Sequence, residues 1–347
     1  MKGNCFAIII SFILINGSSF AEPIMYVPTG NTNELLIIDL ASDKIIGSIG
    51  ELENAHGLAG NANSEYLIAG SMGLNKGKSN KPSSVNDDEH QAHHQSSKNS
   101  AKTSDQRSYI SIIHPQHGHV MRRIEVDGIS HHTAISPDGH YAAATHSQNG
   151  TVSIIDLQTF KVIKLIKTGQ VPNYAGFTSD GHTLYISNAG SATLSNINTS
   201  SWEVEQQIKV GKGPEHFTIS KNGKRIYILN VVEGTVSEVD IKTSKVTRNF
   251  NVGKSPHGLA LSKNEQALFV ANKASDNLIK IDLDHGSQQQ LSLKHAPYHV
   301  EFIASVGKLY VSSRKQPLIW VIDPDNLQIK KELQLGKGVA HQMVVIN

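Results

Sequence analysis

Short apolar runs, broken by turn residues, follow one another along nearly the whole chain. Thr151 to Leu157 alternates apolar and polar side chains, while Leu184 to Asn188 and Leu268 to Asn272 are brief runs rich in β-branched and aromatic residues. That period and that composition suit strands and not helices. The runs are punctuated by turns such as Ser136-Pro-Asp-Gly139. In such a turn, proline fixes φ at the first corner and Asp or Asn with Gly closes a tight hairpin. The pattern repeats: Pro172, Pro214, Pro256 and Pro297 are 42, 42 and 41 residues apart, and Asp138, Asp180, Asn222 and Asn264 are each 42 apart.

Each repeat reads as four strands, and four-stranded units repeated around an axis make a β-propeller. Units start near residues 52, 128, 170, 212, 254 and 295. A seventh is split, with three strands in Met25 to Gly50 and a lone innermost strand in Lys337 to Asn347. Joining the two ends in one blade removes the open sheet edges. The expected fold is therefore all-β, a seven-bladed β-propeller over residues 22–347, closed by its N- and C-terminal strands. The runs Leu184-Tyr-Ile-Ser-Asn188 and Leu268-Phe-Val-Ala-Asn272, the turn Ser136-Pro-Asp-Gly139, and Gly253-Lys-Ser-Pro-His-Gly258 resemble the YVTN-type propeller family. That resemblance implies the fold and says almost nothing about activity.

Residues 1–21 read as a signal peptide: Lys2 is a basic start, Phe6 to Ile15 is mainly apolar, and Ser19-Phe20-Ala21 supplies small residues before a cut. The expected location is secreted, in a bacterial periplasm. The single cysteine, Cys5, would leave with the signal, which excludes disulfides, thiolate metal sites and cysteine nucleophiles from the mature chain. A net charge of +2 gives no reason to expect nucleic acid, and no later run is long enough for membrane insertion. Residues 74–107 interrupt the second blade with Ser, Lys, Asn and Asp and almost no large apolar side chain, the composition of a mobile insertion. Within it, Asp87-Asp-Glu-His-Gln-Ala-His-His94 offers His90, His93 and His94 as metal ligands, with acidic neighbours.

Histidine is the unusual residue, with 18 in 347. Two positions head each innermost strand, and seven of those fourteen are histidine: His56, His131, His132, His216, His257, His299 and His341. Blade heads face one channel, so these imidazoles are candidate ligands for zinc or copper ions. Glu301, two residues after His299, is a candidate partner that orients an imidazole. His146, in the place where other blades carry Asn188, Asn230 and Asn272, is another. One spacing leaves the matter open. His56 and His257 fall one place earlier than His132, His216, His299 and His341, and one place on a strand reverses the side chain. Either these positions precede the strand proper, or the seven do not all converge. A repeat also copies its structural residues, so bland hydrogen-bonding histidines are the competing explanation.

The order around the ring is one histidine, a tandem pair, a blade with none, and four blades with one each. It is similar to the propeller domain of nitrous oxide reductases, where seven histidines hold a multinuclear copper–sulfide cluster. That resemblance implies a copper-cluster redox enzyme with the same seven residues as ligands. The chain lacks the cupredoxin domain of those enzymes, so an electron-transfer partner would have to supply electrons. The His-rich insertion resembles that of periplasmic zinc metallochaperones, which implies a protein that captures, buffers or delivers metal to a periplasmic metal-binding partner. A metal-free protein-interaction scaffold is the third expectation. No nucleophile elbow, phosphate loop, HExxH or CxxC is present, which leans away from an enzyme.

Overall fold

The computed structural model describes residues 23–73 and 107–346, which form seven four-stranded antiparallel sheets. No described helix is long and apolar enough to cross a membrane. The first blade contains Ile24–Thr29, Glu34–Asp39 and Lys44–Ile49, and its innermost strand is Val344–Ile346 from the other end of the chain. Ile24 pairs with Ile346 and Tyr26 with Val344. Pairing of the two ends was expected, but the closing strand is shorter than the span from Lys337. His341 reaches the ring on extended chain tied to blade one by its amide donating to Pro28 O at 3.0 Å.

The second strand of most blades is buried along nearly its whole length, on both faces, because each sheet is sandwiched between neighbours. Seven apolar clusters result, one at each junction between adjacent blades. The junction of blades seven and one buries Met25, Val27 and Ile38 against Tyr310, Ile319 and Val321. The next junction round packs Leu35 and Leu58 with Ile113, and the series continues through blades two to seven. Burying a large aliphatic side chain contributes about 1.5–3 kcal/mol, so closure of the circle matters: an open ring would expose one complete cluster. Asp43 of blade one reinforces the seam by accepting from Lys308 Nζ at 2.7 Å and from Tyr310 Oη at 2.5 Å.

Connections place the chemistry. The innermost strand of blade two, Ala55–Ala59, starts at the face where Ser71 ends the second strand, and these two residues pair. The chain therefore leaves toward residue 74 at the face where the innermost strands begin. The strand after the insertion already starts at Arg107 and runs to His114 at the opposite face.

Candidate metal centre

The head of each innermost strand carries a local irregularity that sequence periodicity does not reveal. Register shifts fall between Ala55 and Leu58, Pro172 and Ala175, Pro214 and Phe217, Pro256 and Gly258, and Pro297 and Val300. Each is a β-bulge with one extra residue on the inner strand, and a bulge suspends the alternation of faces. His56, His216, His257 and His299 all sit inside these bulges. In blade three the paired strand starts only at Thr133, and His131 and His132 both bond Thr145 through the backbone. The one-place offset of His56 and His257 therefore does not turn them away. The residue before each bulge has left-handed backbone: Asn54, Val171, Gly213, Ser255 and Ala296. That sharp entry is costly for a β-branched residue such as Val171. Hydroxyls on the second strand satisfy extra amides of the irregular segment: Thr145 Oγ1 for His132, Ser187 Oγ for Tyr174 and Ser312 Oγ for His299.

All seven imidazoles come together. Ring centroids are 4.8 Å apart for His56 and His131, 4.4 Å for His131 and His132, and 4.4 Å for His56 and His341. They are 4.7 Å apart for His132 and His216, 4.5 Å for His216 and His257, and 5.0 Å for His257 and His299. Each of these residues is buried, with 0–7% exposed. Three ligand triads result, each with nitrogens within 4.8 Å of one another: His56, His131 and His132; His56, His299 and His341; and His216, His257 and His299. Together they use every member of the ring, and His56 and His299 each serve two triads. Neutral imidazole is a ligand for zinc and copper, and three imidazoles suffice for a site with an open position. Burial keeps His341 neutral, its pKa pushed down to about 3 by desolvation and then by the Arg314 charge. Its Nδ1 is buried without a hydrogen-bond partner.

Glycine makes the convergence possible. A Cβ on Gly57 would lie 2.6 Å from His132 Cα, and one on Gly258 would lie 2.3 Å from Tyr298 O. His-Gly therefore lets the next blade head come close in blades two and six.

A second layer of side chains supports the ring. Gln342 Oε1 lies 3.2 Å from His132 Nδ1 and accepts from Leu58 N at 3.2 Å, and its Nε2 donates to Tyr174 Oη at 3.3 Å. An amide oxygen at Nδ1 favours the proton there and leaves the Nε2 lone pair to bind an ion. Glu215 Oε2 lies 3.5 Å from His257 Nδ1, both side chains being 4% exposed. Tyr298 stacks on the His257 ring at 3.7 Å. Sequence reasoning gave none of these a role. Glu215 and Tyr298 occupy the second slot of their blade heads, which is the available signal; Gln342 gave none beyond adjoining His341.

Glu301 lines a cavity of about 40 Å³ beneath the ring, with Tyr174, His216, His299 and Gln342. Burial pushes its pKa up to about 7. Burial, and then the Glu301 charge, push the Tyr174 hydroxyl up. His146 is engaged inside its own blade: Nδ1 donates to Ile129 O at 3.3 Å and Nε2 lies 2.7 Å from Ser153 Oγ. Asn188 and Asn230 make the same bond to Ser195 and Ser237. His90, His93 and His94 lie outside the described residues.

Residues 219–345 match the family of YNCE-like β-propellers, in keeping with seven sheets closed by the chain ends. The chain is a seven-bladed β-propeller, and its C-terminal part is similar to that family. No curated protein matches the propeller's sequence. Among solved structures it is similar to the Pseudomonas aeruginosa periplasmic gluconolactonase PpgL at 16% identity and TM-score 0.70, covering 94% of this chain and 99% of that one. Kuenenia stuttgartiensis hydrazine synthase matches at 17% identity and TM-score 0.63, covering 84% and 86%. A Bacteroides uniformis protein described as a candidate 6-phosphogluconolactonase matches at 13% identity and TM-score 0.73, covering 94% and 100%. At such identities the likeness concerns the fold alone.

Proposed function

We propose that this propeller is a periplasmic metal-binding protein that captures, buffers or delivers zinc or copper through the histidine ring. The observation that carries the reading is the set of three overlapping imidazole triads, all buried at the heads of the innermost strands. The ring histidines pack against one another across blade boundaries. Gln342 and Glu215 orient imidazoles in the way that carboxylates and amides orient metal ligands. The insertion after residue 73, read as a His-rich capture arm, leaves from the ring face and would feed ions to it. A periplasmic metal-binding protein is the recipient expected.

Elemental analysis of protein purified from periplasm, beside a His131→Ala/His132→Ala variant, is the test. Zinc or copper in the parent and much less in the variant supports the reading; equal, near-zero metal in both overturns it. Deleting residues 80–100 should slow uptake and leave the melting temperature unchanged. Sharing of His56 and His299 between triads favours a second reading, a polynuclear copper redox centre served by an electron-transfer partner. Several coppers with visible absorption would select it; zinc alone would select the carrier.

A further inference from the structure

The hairpin joining the third and fourth strands of blade two reads His114-Pro-Gln-His-Gly-His119. It lies at the face opposite the ring, so it belongs to none of the chemistry above. His114 and His119 are direct partners across the hairpin, which places their Cβ atoms about 5 Å apart. Gly118, with φ of +66°, turns the chain between them, its amide donating to His114 O at 3.0 Å. The turn folds His117 over the pair. The His114 and His117 rings stack with centroids 4.0 Å apart, and His117 and His119 are 6.0 Å apart and nearly parallel.

Two neighbours set tautomers that suit coordination. Glu65 Oε1 lies 3.7 Å from His114 Nε2, favouring the proton on that nitrogen and leaving the lone pair on Nδ1, which is buried and has no hydrogen-bond partner. His119 Nδ1 lies 3.4 Å from His117 O and can only donate to it, leaving its Nε2 lone pair outward. His114 is half-buried, while His117 and His119 are exposed. The outer two rings can rotate from the stack and bring nitrogens toward His114 Nδ1.

We propose that His114, His117 and His119 form a second metal site, for a single divalent copper or zinc ion, with Glu65 positioning His114. Three imidazoles in one short turn supply the ligand number of an open zinc or copper site. The exposed position makes it a rapidly exchanging site, distinct from the buried ring. It does not rest on the ring binding metal.

The experiment is titration of the full mature chain with Cu(II), read by electron paramagnetic resonance, in a His56→Ala/His299→Ala background, which takes at least one imidazole from every triad of the ring. One Cu(II) with nitrogen hyperfine structure is expected in that background. His117→Ala/His119→Ala should abolish its signal, with unchanged circular dichroism because both side chains are exposed. Glu65→Gln should weaken binding about tenfold. An unchanged spectrum and stoichiometry after His117→Ala/His119→Ala would overturn the site. An effect of Glu65→Gln equal to that of an exposed-surface control such as Glu203→Gln would remove Glu65 from it.

Discussion

Blades three and four share one repeat and differ at its chemistry. Blade three heads its inner strand with His131 and His132 and ends its second strand with His146. Blade four puts Asn173 and Tyr174 at the head and Asn188 at the end. The frame is the same in both. Thr145 Oγ1 takes the amide of His132 and Ser187 Oγ takes that of Tyr174. His146 bonds Ser153 as Asn188 bonds Ser195. The fold thus tolerates either residue at either place. Blade three puts two imidazoles into the ring, while blade four turns a tyrosine toward it whose hydroxyl bonds Gln342, the residue that holds His132. One blade supplies ligands and its neighbour supplies support.

The largest effect should come from making blade three like blade four. His131→Asn/His132→Tyr copies the blade-four head into blade three. Bound metal should fall by about 100-fold in affinity or more, since losing an orienting partner alone costs about 10–100-fold. Elemental analysis and equilibrium dialysis measure it, and unaltered metal content would break the contrast. Removing the support should cost less: Gln342→Leu and Glu215→Gln should each weaken metal by about tenfold, with little change in melting temperature. Gly258→Ala tests the close approach of blade heads. Its new Cβ would meet Tyr298 O and His299 Cα at 2.3 and 2.7 Å, backbone and Cα atoms that cannot rotate away. A loss of about 1–3 kcal/mol in chemical denaturation is expected.

The smallest effect concerns pH. Desolvation pushes the His146 pKa down to about 4 from 6.5. The unfolded chain therefore binds the extra proton first, and the stability from a neutral His146 is complete above about pH 6.5 and lost as pH falls toward 4. Glu301, pushed up to about 7, acts in the other sense: its contribution is complete below its unfolded pKa and is lost as pH rises through about 7. His146→Asn keeps the blade-four arrangement and removes only the first term. The parent should lose more stability than this variant between pH 6.5 and 4, measured by melting temperature. Parallel curves would show that His146 does not titrate on unfolding.

The circle of blades was legible because a copied unit leaves copied spacing, with Pro172, Pro214 and Pro256 at the same step. The seven histidines were legible for the same reason. Their convergence was not. Strict alternation would turn His56 and His257 away from His132, His216, His299 and His341, which left convergence open, and the bulges at Ala55/Leu58 and Pro256/Gly258 remove that conflict. A bulge is a property of pairing between strands, so no single run of sequence encodes it visibly. The support layer was hidden for a related reason: Gln342 meets His132 across 210 positions of chain. His146 looked like part of the centre because of its residue type, whereas its partners, Ile129 O and Ser153 Oγ, are those of a blade-stabilising side chain.

Anomalous diffraction from crystals soaked in zinc or copper, collected across the metal edge, tests convergence and chemistry together. Peaks on the channel axis, each within about 2.0–2.1 Å of nitrogens from at least three of the seven imidazoles, are the expected result. A ring with no anomalous signal, in crystals whose surface histidines do carry metal, would contradict a metal centre at the channel mouth.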